Sequence, residues 1–268
     1  MTVLALKVLL APGFVVATSL VSRRFGLAVG GVVGGLPAIA GPILLVLALQ
    51  HGTGFAAKAA TGTLLGIVAL IAFVLVFAWV GKRTGWPWAL AAGWGSFVVV
   101  IAVFLPVHVG PVVAFVVACA ACVVGLLLLP RPGPAAARPQ VYPPHDLALR
   151  AVCAVVPVVC VTAAARLLGA HLSGLVAAFP VITPVLAAFT LAQQGQLEAV
   201  RLLRGMTVGF FAYALFCFTV SVGIERLGTA TAFVLATALA LAAQAASVMV
   251  ARRREQALPV EAAHTWSG

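Results

Sequence analysis

Carboxylates are what this chain has least of. Among 268 residues only five are acidic: Asp146, Glu198, Glu225, Glu255 and Glu261. All fall in expected loops or at expected helix ends. No apolar run carries one at mid-depth, where proton- and sodium-coupled carriers place ionisable residues. Coupling through a buried carboxylate is therefore not expected, whereas sodium held by carbonyls and hydroxyls stays open. Clustered aspartates for magnesium, a His–Asp set and a nucleophile with its base are also missing, so no enzyme is expected. No metal site, no cofactor and no phosphate-cradling loop are read either, because the glycine-rich stretch lacks a terminal Lys-Ser/Thr.

Charge of either sign is scarce, at 8% of residues, against about 25% in an average soluble domain. Apolar residues make up 64% and mean hydropathy is +1.21. Runs of about 20 apolar residues recur, each long enough to cross the hydrocarbon of a bilayer. The net charge of +11 comes from basic residues set singly or in pairs between these runs. That pattern fits control of membrane topology and not a nucleic-acid surface. The five cysteines, Cys119, Cys122, Cys153, Cys160 and Cys217, lie inside apolar runs and read as small hydrophobes.

The chain repeats itself at a fixed offset of 143 residues without a gap. Lys7 falls on Arg150, Arg23 on Arg166, Gly26 on Gly169 and Gly31 on Gly174. Pro37 falls on Pro180, Gln50 on Gln193, Gly52 on Gly195, Lys58 on Arg201 and Arg83 on Arg226. The reading is an all-α polytopic membrane protein of nine transmembrane helices: two inverted four-helix repeats joined by one extra helix. Spans are expected at 3–22, 27–50, 56–80 and 87–106, then 109–130, then 147–165, 171–193, 200–224 and 229–250. Residues 1–107 form the first repeat and 108–130 the linking helix. Residues 131–146 form a Pro-rich cytoplasmic linker, 147–250 the second repeat and 251–268 a cytoplasmic tail without regular structure.

Five spans precede the second repeat, so it enters the membrane inverted. One face then holds Arg23, Arg24, Lys82, Arg83, Arg131, Arg138, Arg150, Arg201, Arg204, Arg252, Arg253 and Arg254. The other holds Lys7, Lys58, Arg166 and Arg226. By the positive-inside bias the first face is cytoplasmic. The N-terminus is then outside and the C-terminus inside.

The second helix of each repeat draws attention. Gly26, Gly30, Gly31, Gly34 and Gly35 match Gly169, Ser173, Gly174, Ala177 and Ala178, small residues suited to close helix approach. Prolines follow at Pro37 and Pro42, and at Pro180 and Pro184. Interrupted helices at matching places in inverted halves point to a midplane binding site in transporters. Equally, they serve as plain kinks. The candidate path is Pro37, Gly41, Pro42, Pro180, Thr183, Pro184 and Thr190. Gln50, His51 and Gln193 are interfacial by default. Lys7 and Arg150 either snorkel to headgroups or hold an anionic substrate or lipid, with no acidic partner expected on their own helices. Glu198 and Arg201 read as a local ion pair.

The second repeat resembles the GlpM family of small bacterial inner-membrane proteins. The resemblance rests on Arg150, on SGLVAAFP at 173–180 with Thr183, and on EAVR at 198–201. It covers about residues 147–250. The first repeat keeps Lys7, GGLP and Lys58 but has Phe55 where Glu198 falls. The resemblance implies a tandem fusion of two units and a link to exopolysaccharide (alginate) production, and it carries no catalytic residues. Two functions are expected from this. The first is a transporter-like protein handling an anionic or neutral solute, or a lipid or polysaccharide precursor. The second is an accessory protein supporting envelope or exopolysaccharide biosynthesis. The expected partners are the lipid bilayer and an anionic lipid or small solute; nucleic acid is not expected, and oligomerisation is open.

Overall fold

The structure, a computed structural model, describes residues 2–38, 40–131, 145–165 and 182–256, with side chains from 12–38, 40–131, 145–155 and 182–249. Among them every regular element is a helix. These are α1 (Thr2–Phe25), α2 (Leu27–Gly34), α3 (Ala40–His51), α4 (Thr53–Gly81), α5 (Trp86–Phe104) and α6 (Pro111–Leu128). The others are α7 (Asp146–Ala165), α8 (Ile182–Gln194), α9 (Gln196–Leu227) and α10 (Thr229–Gln256). Five are long and apolar enough to cross a membrane: α4, α5, α6, α9 and, over Thr229–Met249, α10. The chain is thus a multi-helix membrane-embedded protein.

The long helices fall into two kinds. In the most apolar stretch of α4 and of α9, 67% of residues are buried, against 17–22% in α5, α6 and α10. An apolar helix buried all round sits inside a bundle, and one with an open face meets lipid. Accordingly, Leu64, Leu65, Ile67, Phe73 and Phe77 of α4 pack in the core with Leu202, Leu203, Met206 and Phe210 of α9. Valines 98, 99 and 103 of α5 and 112, 113 and 116 of α6 stay exposed.

Polar bonds tie α4 to α9 at both ends. Near the start of α4, the Ser221 hydroxyl donates to the Ala57 carbonyl at 3.1 Å and shares a 2.7 Å bond with Thr61. Near its end, the Gln196 amide donates to the Ala78 carbonyl at 2.6 Å. The start of each helix therefore meets the end of the other, and the two run antiparallel. In the same way α1 packs along α7, with the end of α1 at the start of α7.

The segment expected as one span at 27–50 is two helices. Helix α2 stops at Gly34 and α3 begins at Ala40. The unwound part is shorter than the 37–42 expected. Pro37's carbonyl already accepts the Gly41 N–H at 2.8 Å, so Gly41 and Pro42 lie within α3. Proline is tolerated there because first-turn N–H groups have no intrahelical partner. Pro42 is the third residue of α3 and Pro184 the third of α8.

Glycine sets a backbone-to-backbone contact between α2 and α9. A Cβ on Gly35 would meet Gly209 Cα at 2.7 Å, and one on Gly209 would meet Gly35 Cα at 2.9 Å. Helix α2 thus lies backbone-to-backbone on α9. The absence of side chains lets van der Waals packing reach its full extent between helices. Two more glycines are conformational. Gly52 (φ 86°, ψ 169°) precedes α4 and Gly195 (φ 88°, ψ 178°) precedes α9. Side-chain-bearing residues rarely adopt this backbone.

Candidate functional site: an ionic clasp and two apolar grooves

At one end of the bundle, three residues from three helices close on one carboxylate. Arg150, on α7, donates from Nε to both oxygens of Asp146, at 3.0 and 2.9 Å. Arg23, from the end of α1, donates from Nη2 at 2.6 Å. Gln193, near the end of α8, donates from Nε2 at 2.6 Å and accepts from Arg150 Nη2 at 3.0 Å. The Asp146 side chain is fully buried and that of Arg150 is 4% exposed. The Arg150 guanidinium also stacks 5.0 Å over the Phe189 ring.

This overturns two expectations for Arg150. It does not snorkel, and it does have an acidic partner on its own helix. Asp146 lies one turn before it in the i, i+4 relation that brings side chains together. The Pro-rich composition up to 146 had assigned Asp146 to the linker. Gln193 is likewise a bonded member of the cluster. A buried charge is tolerated only when paired and hydrogen-bonded, and here both carboxylate oxygens are satisfied.

Behind the clasp is a cavity of about 10 Å³, lined by Ser19, Ser22, Arg23, Arg150, Thr190 and Gln194 among others. That is room for one water. Ser19 Oγ and Gln194 Oε1 are buried there without a protein partner. Such groups call for a bridging water.

Two larger grooves flank the core. Groove A, about 660 Å³, lies between α5, α7 and α8. Groove B, about 840 Å³, lies between the 35–38 turn, α3, α9 and α10. Both walls are almost wholly apolar. At the 143-residue offset seven of their lining positions coincide. Pro184, Val185, Ala188, Phe189 and Ala192 of groove A correspond to Gly41, Pro42, Leu45, Val46 and Leu49 of groove B. Leu90 and Trp94 correspond to Phe233 and Thr237.

The expected path residues therefore separate. Pro37, Gly41 and Pro42 line groove B. Pro184 lines groove A. Thr183 and Thr190 are buried, Thr190 at the small cavity. Pro180 lies outside the described residues. Lys7 is on α1, with its side chain outside them. Gln50 and His51 are exposed at the end of α3, the His51 ring stacked on Phe55 at 4.6 Å. The Glu198–Arg201 pair forms, at 2.5 Å. Sequence reasoning missed Arg23, Asp146, Trp86 and Trp94. Only Asp146 left a signal, its spacing from Arg150.

Compared with protein-family models, with curated proteins and with solved structures, the chain finds no match in any of the three.

Proposed function

We propose that this chain is a bacterial inner-membrane protein of two inverted four-helix repeats, crossing nine times, that handles an amphiphilic substrate in two grooves, one per leaflet. Under the topology argued from the basic residues, the clasp and groove A lie on the cytoplasmic side and groove B on the outer side. The observation that carries the reading is the coincidence of the two groove linings at one sequence offset. The antiparallel courses of α4 against α9 and of α1 against α7 support inversion, since each pair is related by that offset. The similar backbone angles of Gly52 and Gly195 support the repeat itself, whatever its orientation.

The chemistry of the walls narrows the substrate class. Sites for small water-soluble molecules converge several polar groups in the pocket. These grooves offer mainly aliphatic and aromatic surface, which suits an acyl or polyprenyl chain. A lipid or lipid-linked polysaccharide precursor is thus favoured over a free anionic or neutral solute. The reading involves no catalytic step. The GlpM-like motifs fit a role in exopolysaccharide assembly.

Reconstituted vesicles test it. The protein is expected to speed exchange of a fluorescent lipid between leaflets, and Ala188→Trp or Leu45→Trp, each filling one groove, to slow it several-fold. Exchange no faster than in protein-free vesicles would leave the accessory role in its place. The close-packed seam between α2 and α9 is the feature that favours that second reading. Single cysteines at 49 and 192 are expected to react with an impermeant maleimide from opposite sides of the membrane; reaction from the same side would remove the inversion.

A further inference from the structure

We infer that the end of α6 is a binding site for an anionic phospholipid, with the phosphate held by Lys82, Arg131 and Arg204 and the acyl chains lying along α6. The site is separate from both grooves and stands or falls without them.

The last carbonyls of a helix have no donor within it. At the end of α6 two neighbouring helices supply donors. The Trp79 indole, close to the end of α4, donates from Nε1 to the Leu128 carbonyl at 3.1 Å. Arg204, on α9, donates from Nη1 to the carbonyls of Leu129 and Pro130, at 3.1 and 3.4 Å. Arg131 follows Pro130 directly and is exposed. The Lys82 ammonium, just past the end of α4 and on an exposed residue, stands 5.7 Å from the centre of the Trp79 ring. Three chain segments thus bring three cations to one helix end.

Capping does not use up that charge. A helix C-terminus carries about half a negative charge, so the ends of α4 and α6 together offset roughly one of the three positive charges. Three carboxylates have described side chains. Asp146 is paired with Arg23 and Arg150, and Glu198 with Arg201. Glu225 lies at the opposite end of the bundle, against Gly54 at the start of α4. None of the three neutralises Lys82, Arg131 or Arg204. Both bonds of Arg204 leave from Nη1, which leaves the Nε–Nη2 edge of its guanidinium to donate. That planar edge matches two oxygens of a phosphate.

The surroundings select a lipid over a soluble phosphate. Directly before the basic end, α6 presents Val124, Leu127 and Leu128 outward, Leu127 with 77% of its surface open. Trp79 is half exposed beside them, and indole rings settle at headgroup level. Basic sites between membrane helices take anionic headgroups in this way.

Trp79 is its own reporter. In full-length protein with Trp79 as the sole tryptophan, reconstituted in vesicles, fluorescence is quenched by lipids brominated on the acyl chain. Brominated phosphatidylglycerol is expected to quench at roughly tenfold lower mole fraction than brominated phosphatidylcholine. Lys82→Gln and Arg131→Gln, both at exposed positions, are each expected to reduce that preference about threefold. Arg24→Gln removes the same charge from an exposed residue at the same end of the bundle and should leave the preference intact. Millimolar glycerol phosphate should leave it intact as well.

Equal quenching by the two lipids, or a preference that survives both Lys82→Gln and Arg131→Gln, overturns the inference. An equal loss with Arg24→Gln overturns it in favour of a diffuse surface field. Loss of the preference on adding glycerol phosphate overturns it in favour of a free phosphate ester. Because Trp79 lines neither groove, each of these outcomes leaves the proposed function standing, and lipid exchange tests that function separately.

Discussion

Grooves A and B share seven lining positions at one offset, yet they end differently. Groove A ends on Gln193, held by Arg150 and Asp146. Groove B ends at Leu49, next to the exposed Gln50 and His51. At the offset, Asp146 corresponds to Val3, so the carboxylate belongs to one half only. The walls depend on helix packing, which any change of volume disturbs. The groove ends do not share that constraint: one holds a buried ionic cluster and the other exposed polar residues. In such a scaffold shape is kept where helices meet and chemistry diverges at the rim.

The largest test of this contrast is the clasp itself. Asp146→Ala is expected to cost about 3 kcal/mol, because it leaves the buried Arg150 guanidinium without its counter-charge. Thermal unfolding in detergent would show it, and Asp146→Leu with Arg150→Met should recover most of the loss. A drop as large on replacing Val3 by Ala would erase the distinction between the two ends. Next come the matched glycines. Gly52→Ala and Gly195→Ala are each expected to cost about 1–3 kcal/mol, the penalty for holding a side-chain-bearing residue in this glycine-only backbone region. Their losses should agree closely, and a clear inequality would argue against equivalent turns. The smallest effect is Glu198→Gln. That pair is 16–18% exposed, and partly solvated pairs contribute under about 1 kcal/mol. Its removal should barely move the melting curve, and a shift comparable to that of Asp146→Ala would make it a second clasp.

The long apolar helices were legible in the sequence because membrane spans declare themselves by length and composition. The expected 56–80, 87–106 and 200–224 lie close to Thr53–Gly81, Trp86–Phe104 and Gln196–Leu227. Pro37 marked the break between α2 and α3, since a proline ring is hard to keep inside a helix. The two glycines ahead of α4 and α9 were visible as a matched pair, though their torsion angles were not. The clasp was less accessible. Arg23 and Asp146 are 123 residues apart, and nothing local links them. Asp146 followed a run of prolines that read as linker, which hid its i, i+4 relation to Arg150. The grooves were out of reach as well, because Trp86, Leu90 and Trp94 look like any lipid-facing residues until α7 and α8 are placed beside them.

The glycine seam between α2 and α9 has a consequence for biogenesis. Gly35 leaves the ribosome about 170 residues before Gly209, a delay on the order of ten seconds at ordinary synthesis rates. During that interval the face of α2 that carries Gly31 and Gly35 has no native surface to close against. A chain truncated before residue 196 would keep that notch open for good, which makes it a natural target for membrane quality control. Joining both halves in one polypeptide limits the exposure by delivering the missing surface from the same ribosome.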